Sequence, residues 1–168
     1  MNEKQEEFRL KPLGYVRIKG DDPKEAVYLI EILKPYRKAL KELDKFSHVI
    51  VFWWLNQHDN EEARGILDTI PPYGKDTPLT GIFATRSDYR PNPIAITTVN
   101  ILEVDQKKGI IKIPYIDAFD GTPVVDLKAY FPICDRVRDT HIAPWLKDWP
   151  EWYEDGAAWW AEQGFFDE

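Results

Sequence analysis

The sequence predicts a mainly β fold, a small barrel or sandwich carrying one or two short helices. Short runs rich in β-branched and aromatic residues recur about every ten residues, with Gly, Asp, Asn or Pro between them. The chain has 168 residues, of which 43% are hydrophobic and 30% charged, enough apolar material for one core and too short for two full domains.

Taken in order, Phe8–Lys19 alternates apolar and polar residues as a half-buried strand does, and Gly20–Pro23 reads as a turn. Ala26–Leu33 is a second strand, closed by Lys34-Pro35. Between Pro35 and Lys45, Tyr36, Leu40 and Leu43 stand at i, i+4, i+7 among Lys and Glu, which predicts a short amphipathic helix with proline at its start. Phe46–Leu55 is the most apolar stretch and predicts a strand buried on both faces. Residues 60–80 form a polar, Pro-rich loop with a helical turn expected within Glu61–Thr69. Strands are then expected at Gly81–Thr85, Ile94–Val104, Gly109–Ala118 and Val124–Ala129, with a hairpin loop at Asp105–Gly109 and a tight turn at Asp120–Pro123.

The formal charge is −7, from 22 Lys and Arg against 29 Asp and Glu, which argues against nonspecific coating of nucleic acid. The basic segment Lys34, Arg37, Lys38, Lys41 and Lys45 reads first as a solvated face. One cysteine, Cys134, excludes an intrachain disulfide and a cysteine-built zinc site, and is expected to be a small buried hydrophobe. His58 and His141 lack a metal-ligand spacing, so no metal site is expected, and His48 reads as a hydrogen-bonded structural histidine. No apolar run approaches the roughly 20 residues that span a bilayer, and the N-terminus lacks a signal-peptide core, so a cytoplasmic protein without membrane contact is expected.

Two segments are unlike ordinary loops. In Ala84–Ile94, ATRSDYRPNPI, two prolines restrict the backbone around Arg86, Arg90 and Asn92. The arginines offer forked donors for a carboxylate or phosphate, and the amide suits a base edge. The plain alternative is a turn whose arginines pair with acidic neighbours, and the residues of this loop alone leave both open. In Tyr115–Lys128, YIDAFDGTPVVDLK, Asp117 can accept from ribose hydroxyls or an ammonium group, Asp120 suits an Asx turn, and Asp126 and Lys128 suit a surface pair.

GIFATRSDYRPNPIAITTV, DGTPVVDLKAYFP and the upstream LDKFSHVIVFWW together resemble the TrmO/YaeB family of TsaA-like domains, over roughly Leu13–Asp135. The resemblance implies a small TsaA-like β-barrel, generally homodimeric, that binds S-adenosylmethionine without a Rossmann fold and methylates N6 of threonylcarbamoyladenosine in the tRNA anticodon loop. No Gly-rich strand-turn-helix occurs here, in keeping with that. Carried over by position, the implied cofactor contacts fall on Asn56, Gln57, Arg86, Ile96, Tyr115, Ile116, Asp117 and Ala118, with Arg86 suited to the methionine carboxylate. Arg90 and Asn92 are the implied substrate contacts, tRNA the implied partner, and no residue is assigned as general base. The chain departs from the family pattern at Arg17–Pro23, which lacks a Pro-Gln step, at Asn56 in place of His, and at Ala95 in place of Gly. These mark a divergent member, for which a noncatalytic binding module or a small-molecule methyltransferase are the competing readings.

The expected domains are a barrel over 8–135 and an aromatic extension over 136–168. Five of the seven tryptophans, Trp145, Trp149, Trp152, Trp159 and Trp160, lie in that extension beside Phe165 and Phe166. Pro150 breaks any single helix there, and the segment is expected to pack on the barrel or on a dimer partner.

Overall fold

The computed structural model describes residues 7–20, 25–74 and 76–162. The expected turn at Asp21–Pro23, the polar first six residues, and Phe165 and Phe166 lie outside the described residues. Among the described residues the strands are β1 Gly14–Lys19, β2 Val27–Ile32, β3 His48–Trp54, β4 Asp68–Thr69, β5 Thr80–Gly81, β6 Ile94–Asn100, β7 Glu103–Asp105, β8 Ile110–Ile113 and β9 Pro123–Ala129. The short α-helices are α1 Glu61–Gly65, α2 Pro132–Asp135 and α3 Gly156–Glu162.

The chain divides into two compact units, one of 1–67 with 86–136 and one of 68–85 with 137–168. In the first, seven strands form one antiparallel sheet in the order β6-β3-β9-β1-β2-β8-β7. The mainly β prediction holds. Alternation along the strands sends Val16, Tyr28, Ile30, Ile32, Val49, Val51, Trp53, Val99, Ile111, Ile113 and Val124 to one buried face, which is the core.

The expected strand Ile94–Val104 is split at Ile101-Leu102, and the split shapes the sheet. The Ile101 amide donates to the carbonyl of Ser47, just before β3, whereas the next amide, Leu102, donates to Lys112 on β8. Consecutive residues thus bond to opposite edges. Three Cα–Cα steps separate Asn100 from Glu103, about 11 Å at most, so the two edges lie close at this corner. No ladder joins β6 to β7, so the sheet is rolled like a barrel without a continuous closing ladder.

Other elements differ from expectation for local reasons. The first strand begins at Gly14 rather than Phe8, because Pro12 has no amide to place in a ladder. The amphipathic segment forms 3₁₀ turns at Lys34–Leu40 and Leu43–Lys45, interrupted by Glu42 in the left-handed region at φ 67°. Leu40 alone of these turns is buried, too small an anchor for a longer helix. Strand β3 is buried on one face, with Val49, Val51 and Trp53 inward and the intervening residues half-exposed. Residues 82–84 form a 3₁₀ turn instead of continuing a strand from Gly81. Strand β8 ends at Ile113, so Tyr115–Ala118 is a loop. Cys134 is exposed on the short α2 rather than buried.

In the second unit, β4 pairs with β5, and Tyr73, Trp149, Trp159 and Trp160 form a ring cluster with centroids 4.8–5.5 Å apart. Trp152 and Tyr153 remain exposed.

The Asp105–Gly109 hairpin loop is present as predicted, with Gly109 at φ 76° and its amide donating to Asp105 O. The Arg37 guanidinium pins the hairpin, donating to Ile32 O at 3.2 Å and Lys107 O at 3.1 Å. A Cβ on Gly109 would lie 2.6 Å from Ile32 O and 2.5 Å from Arg37 Nε. Gly109→Ala is therefore expected to cost more than about 1 kcal/mol, read as a lower urea midpoint at unchanged slope; an unaltered midpoint contradicts this placement.

Candidate functional site

One end of the rolled sheet collects the end of β1, the start of β2, the end of β3 and the loops 55–60, 86–93 and 114–122. A cavity of about 260 Å³ opens there. Its lining combines Tyr28, Trp53, Trp54, Tyr115 and Phe119 with the polar side chains of Asn56, Gln57, His58, Asp88, Asp117 and Thr122.

Local sequence explains how each wall is held. At the end of β3, Trp54 Nε1 donates to Asp59 Oδ2 at 2.9 Å, and Arg64 Nε donates to Asp59 Oδ1 at 2.7 Å. Arg64 also lies over the Trp54 ring and donates through Nη1 to Pro91 O at 2.8 Å. It belongs to α1, which starts because the Asn60 side chain caps the Ala63 amide and Ala63 is buried. Arg64 therefore ties β3, α1 and the 86–93 loop together. A further bond, from the Leu55 amide to Pro93 O at 2.8 Å, seats the buried Pro93 against the end of β3.

The opposite wall, 114–122, is anchored by Ile116, which is 1% exposed and part of the core, whereas its neighbours Tyr115 and Asp117 are exposed. Asp120 closes this wall by accepting the Ile18 amide at 2.8 Å. The expected Asx turn is thus replaced by a bond across to β1. Gly121, at φ 80°, lets the chain reverse into β9.

Between the walls, His58 Nε2 lies 3.7 Å from Asp88 Oδ2, and its ring packs edge-on against Tyr89 at 5.0 Å. Partial burial pushes the Asp88 carboxyl above its ordinary value; His58 opposes this and the charge of Asp117 adds to it. Among the described residues, no Lys or Arg lines the cavity.

Asn56, Gln57, Tyr115, Ile116, Asp117 and Ala118 line this cavity together. Arg86 and Ile96 are not among its lining: Arg86 is exposed where the Pro-rich loop begins, and Ile96 is exposed on β6 opposite Phe52. Arg90 donates to Ser87 O at 3.5 Å, and Asn92 is exposed, its carbonyl accepting the Ile94 amide. His58 and Asp88 were not singled out from sequence as cavity residues. The available signal was adjacency, since His58 follows Asn56-Gln57 and Asp88 lies inside the same loop as Arg86.

The basic segment lies at the other end of the sheet, past the far ends of β2 and β3; along β3 that is about 20 Å from the cavity. Within it, Arg37 is a structural clamp and Lys45 pairs with Asp44 at 2.9 Å. The surface pair Asp126–Lys128 forms at 2.6 Å, and His48 Nδ1 hydrogen-bonds Ser47 Oγ at 2.8 Å, as expected for both. Among the described residues, no group of three His, Cys, Asp or Glu side chains gathers to hold a metal, and no helix is long and apolar enough to cross a membrane.

A rolled antiparallel sheet, not closed by a continuous ladder and with an aromatic, carboxylate-bearing cavity at one end, defines a small open β-barrel domain. A family model for the tRNA-methyltransferase O N-terminal domain matches residues 18–136. The chain belongs to that family. An S-adenosyl-L-methionine-binding protein of Archaeoglobus fulgidus is 36% identical over 138 residues, which cover 77% of this chain and 94% of that protein. The tRNA (adenine(37)-N6)-methyltransferase of Escherichia coli is 35% identical over 114 residues, 66% of this chain and 48% of that enzyme, so the match spans about half the relative's length. The crystal structure of TrmO from Pseudomonas aeruginosa superposes with a TM-score of 0.62 at 27% identity, covering 83% of this chain and 63% of that one.

The Asp59 knot gives a pH signature. Hydrogen bonds from Arg64 and then Trp54 hold the Asp59 carboxyl below its ordinary value of 3.8. A depressed folded-state value contributes stability above the unfolded value, and that contribution is lost as pH falls through the folded one. Asp59→Asn should therefore be less stable than the parent protein near pH 7, with the gap narrowing below about pH 4. Urea midpoints across that range check it; a gap that widens in acid contradicts it.

Proposed function

We propose that this chain is an S-adenosylmethionine-dependent methyltransferase acting on N6 of threonylcarbamoyladenosine in the tRNA anticodon loop, with the cofactor in the cavity at the end of the sheet. The observation that carries the reading is the convergence of Asn56, Gln57, Tyr115, Ile116, Asp117 and Ala118 on one cavity from segments some sixty residues apart. Relatives named for binding that cofactor, and one named for methylating adenine 37 of tRNA, support the cofactor and the substrate class respectively.

The lining fits the chemistry. When bound, the cofactor supplies an electrophilic methyl on a sulfonium. The Asn56 and Gln57 amides offer donors and acceptors for adenine and ribose edges, Asp117 accepts from hydroxyls or an ammonium, and the rings of Tyr28, Trp54, Tyr115 and Phe119 offer apolar faces for the cofactor to pack against. Methyl transfer needs chiefly an aligned acceptor in a dry site, so fixed walls can serve it without a catalytic triad. The Pro-rich loop with Arg90 and Asn92 stands beside the cavity and is the proposed approach for the acceptor base. Lys34, Lys38 and Lys41, about 20 Å away, are exposed and suit phosphates of the same RNA.

At about 260 Å³ the cavity is just under the roughly 300–1,000 Å³ typical of small-molecule pockets. A homodimer in which the second copy completes the wall is part of the proposal.

Mass spectrometry of tRNA nucleosides from a strain lacking this chain, before and after complementation, tests the reading. The expected result is loss and return of the N6-methylated nucleoside, with Asp117→Ala restoring less than about a tenth of it, roughly 1.4 kcal/mol in transition-state binding. Cofactor binding with no methylated nucleoside in either strain would favour a noncatalytic binding module.

A further inference from the structure

Asp88 is an acidic cavity residue that the reading above leaves without a role. Among the described residues, the ionisable side chains that line the cavity, apart from the tyrosines, are Asp88, Asp117 and His58, so no described Lys or Arg in the lining balances the two carboxylates. Asp88 is held at the rim by its approach to His58 at 3.7 Å, with Tyr89 behind the imidazole at 5.0 Å. Its carboxyl feels the charge of Asp117, which places the two acids within electrostatic reach of each other and of anything lodged between the walls.

The methylation reaction changes the charge of what occupies this space. The methyl carbon leaves a sulfonium, whose sulfur becomes a neutral thioether by keeping the electron pair of the broken bond. The acceptor nitrogen forms the new bond and gives up its proton to solvent. The donor thus enters with one positive charge more than the product that must leave.

We propose that Asp88 reads this charge: beside Asp117 it favours the sulfonium donor over the thioether product, so the cavity loads one and releases the other. The proposal rests on the cavity being the cofactor site. The Asp88 side chain is 56% exposed, so solvent screens its field and the expected effect is moderate.

Titration calorimetry on the full chain with S-adenosylmethionine and, separately, S-adenosylhomocysteine tests it. Asp88→Asn removes the charge at nearly constant shape and should weaken the sulfonium ligand about tenfold, or about 1.4 kcal/mol, leaving the thioether within about twofold. Asp88→Ser should show the same selective loss. In the parent protein, added salt should weaken the sulfonium ligand more than the thioether. An unchanged affinity ratio in both variants, or equal salt dependence for both ligands, overturns the proposal. Ala118→Trp, which fills the cavity, separates this failure from failure of the site itself. If it abolishes both ligands while Asp88→Asn leaves their ratio unchanged, the charge-reading role alone falls. If it leaves both ligands bound, the cavity is not the cofactor site and both readings fall.

Discussion

The corner at Ile101-Leu102 is the constraint on which the rest of the first unit depends. A seven-stranded antiparallel sheet lying open would leave the Val and Ile residues of β1, β2, β3 and β8 on a surface with nothing to cover it. Because two adjacent amides bond to Ser47 on one side and Lys112 on the other, the edges are drawn together and that face turns inward. The core is the lumen of the roll. Closure at this end is made by the main chain, so side chains need fill only the interior.

At the far end no such stitch is made among the described residues, and the strands lead into loops. There β9 carries one residue more than β3: Asp126 stands opposite Phe52 and Val124 opposite Trp53, with Val125 left over between them. A bulge increases local twist and re-aims the residues beyond it, which here are Trp53 and Trp54 at the cavity wall. Ile116 then fixes the facing loop by burying one side chain between two exposed ones. The cavity is the space left where the roll is braced by an arginine knot and a single isoleucine rather than by a ladder.

The strands were legible because alternation is local: Val49, Val51 and Trp53 on β3 announce a buried face in any small sheet. What escaped was set by partners distant in the chain. Nothing within Ile94–Val104 shows that its residues exchange one edge for the other at Leu102, since Ser47 and Lys112 decide that. Tyr115–Ala118 reads as a strand continuing from Ile113 because its apolar content is high, yet no neighbouring strand extends far enough to pair with it. The 34–45 segment has helical periodicity, but Leu40 is its only buried anchor, and Glu42 in a left-handed conformation halts it. For the site, family motifs brought six lining residues into view. They pointed to His58 and Asp88 only by adjacency, because the relevance of those two residues arises from a contact between loops thirty residues apart.

Hydrogen exchange on the full chain with and without S-adenosylmethionine locates the proposed cofactor site at the braced, open end of the roll or elsewhere. The expected result is slowed exchange confined to the amides of 53–58, 86–93 and 115–122, with the corner at 100–103 and the basic segment 34–45 unchanged. Protection centred on 34–45, or on the tryptophan cluster of 149–160 without change at 115–122, would contradict it.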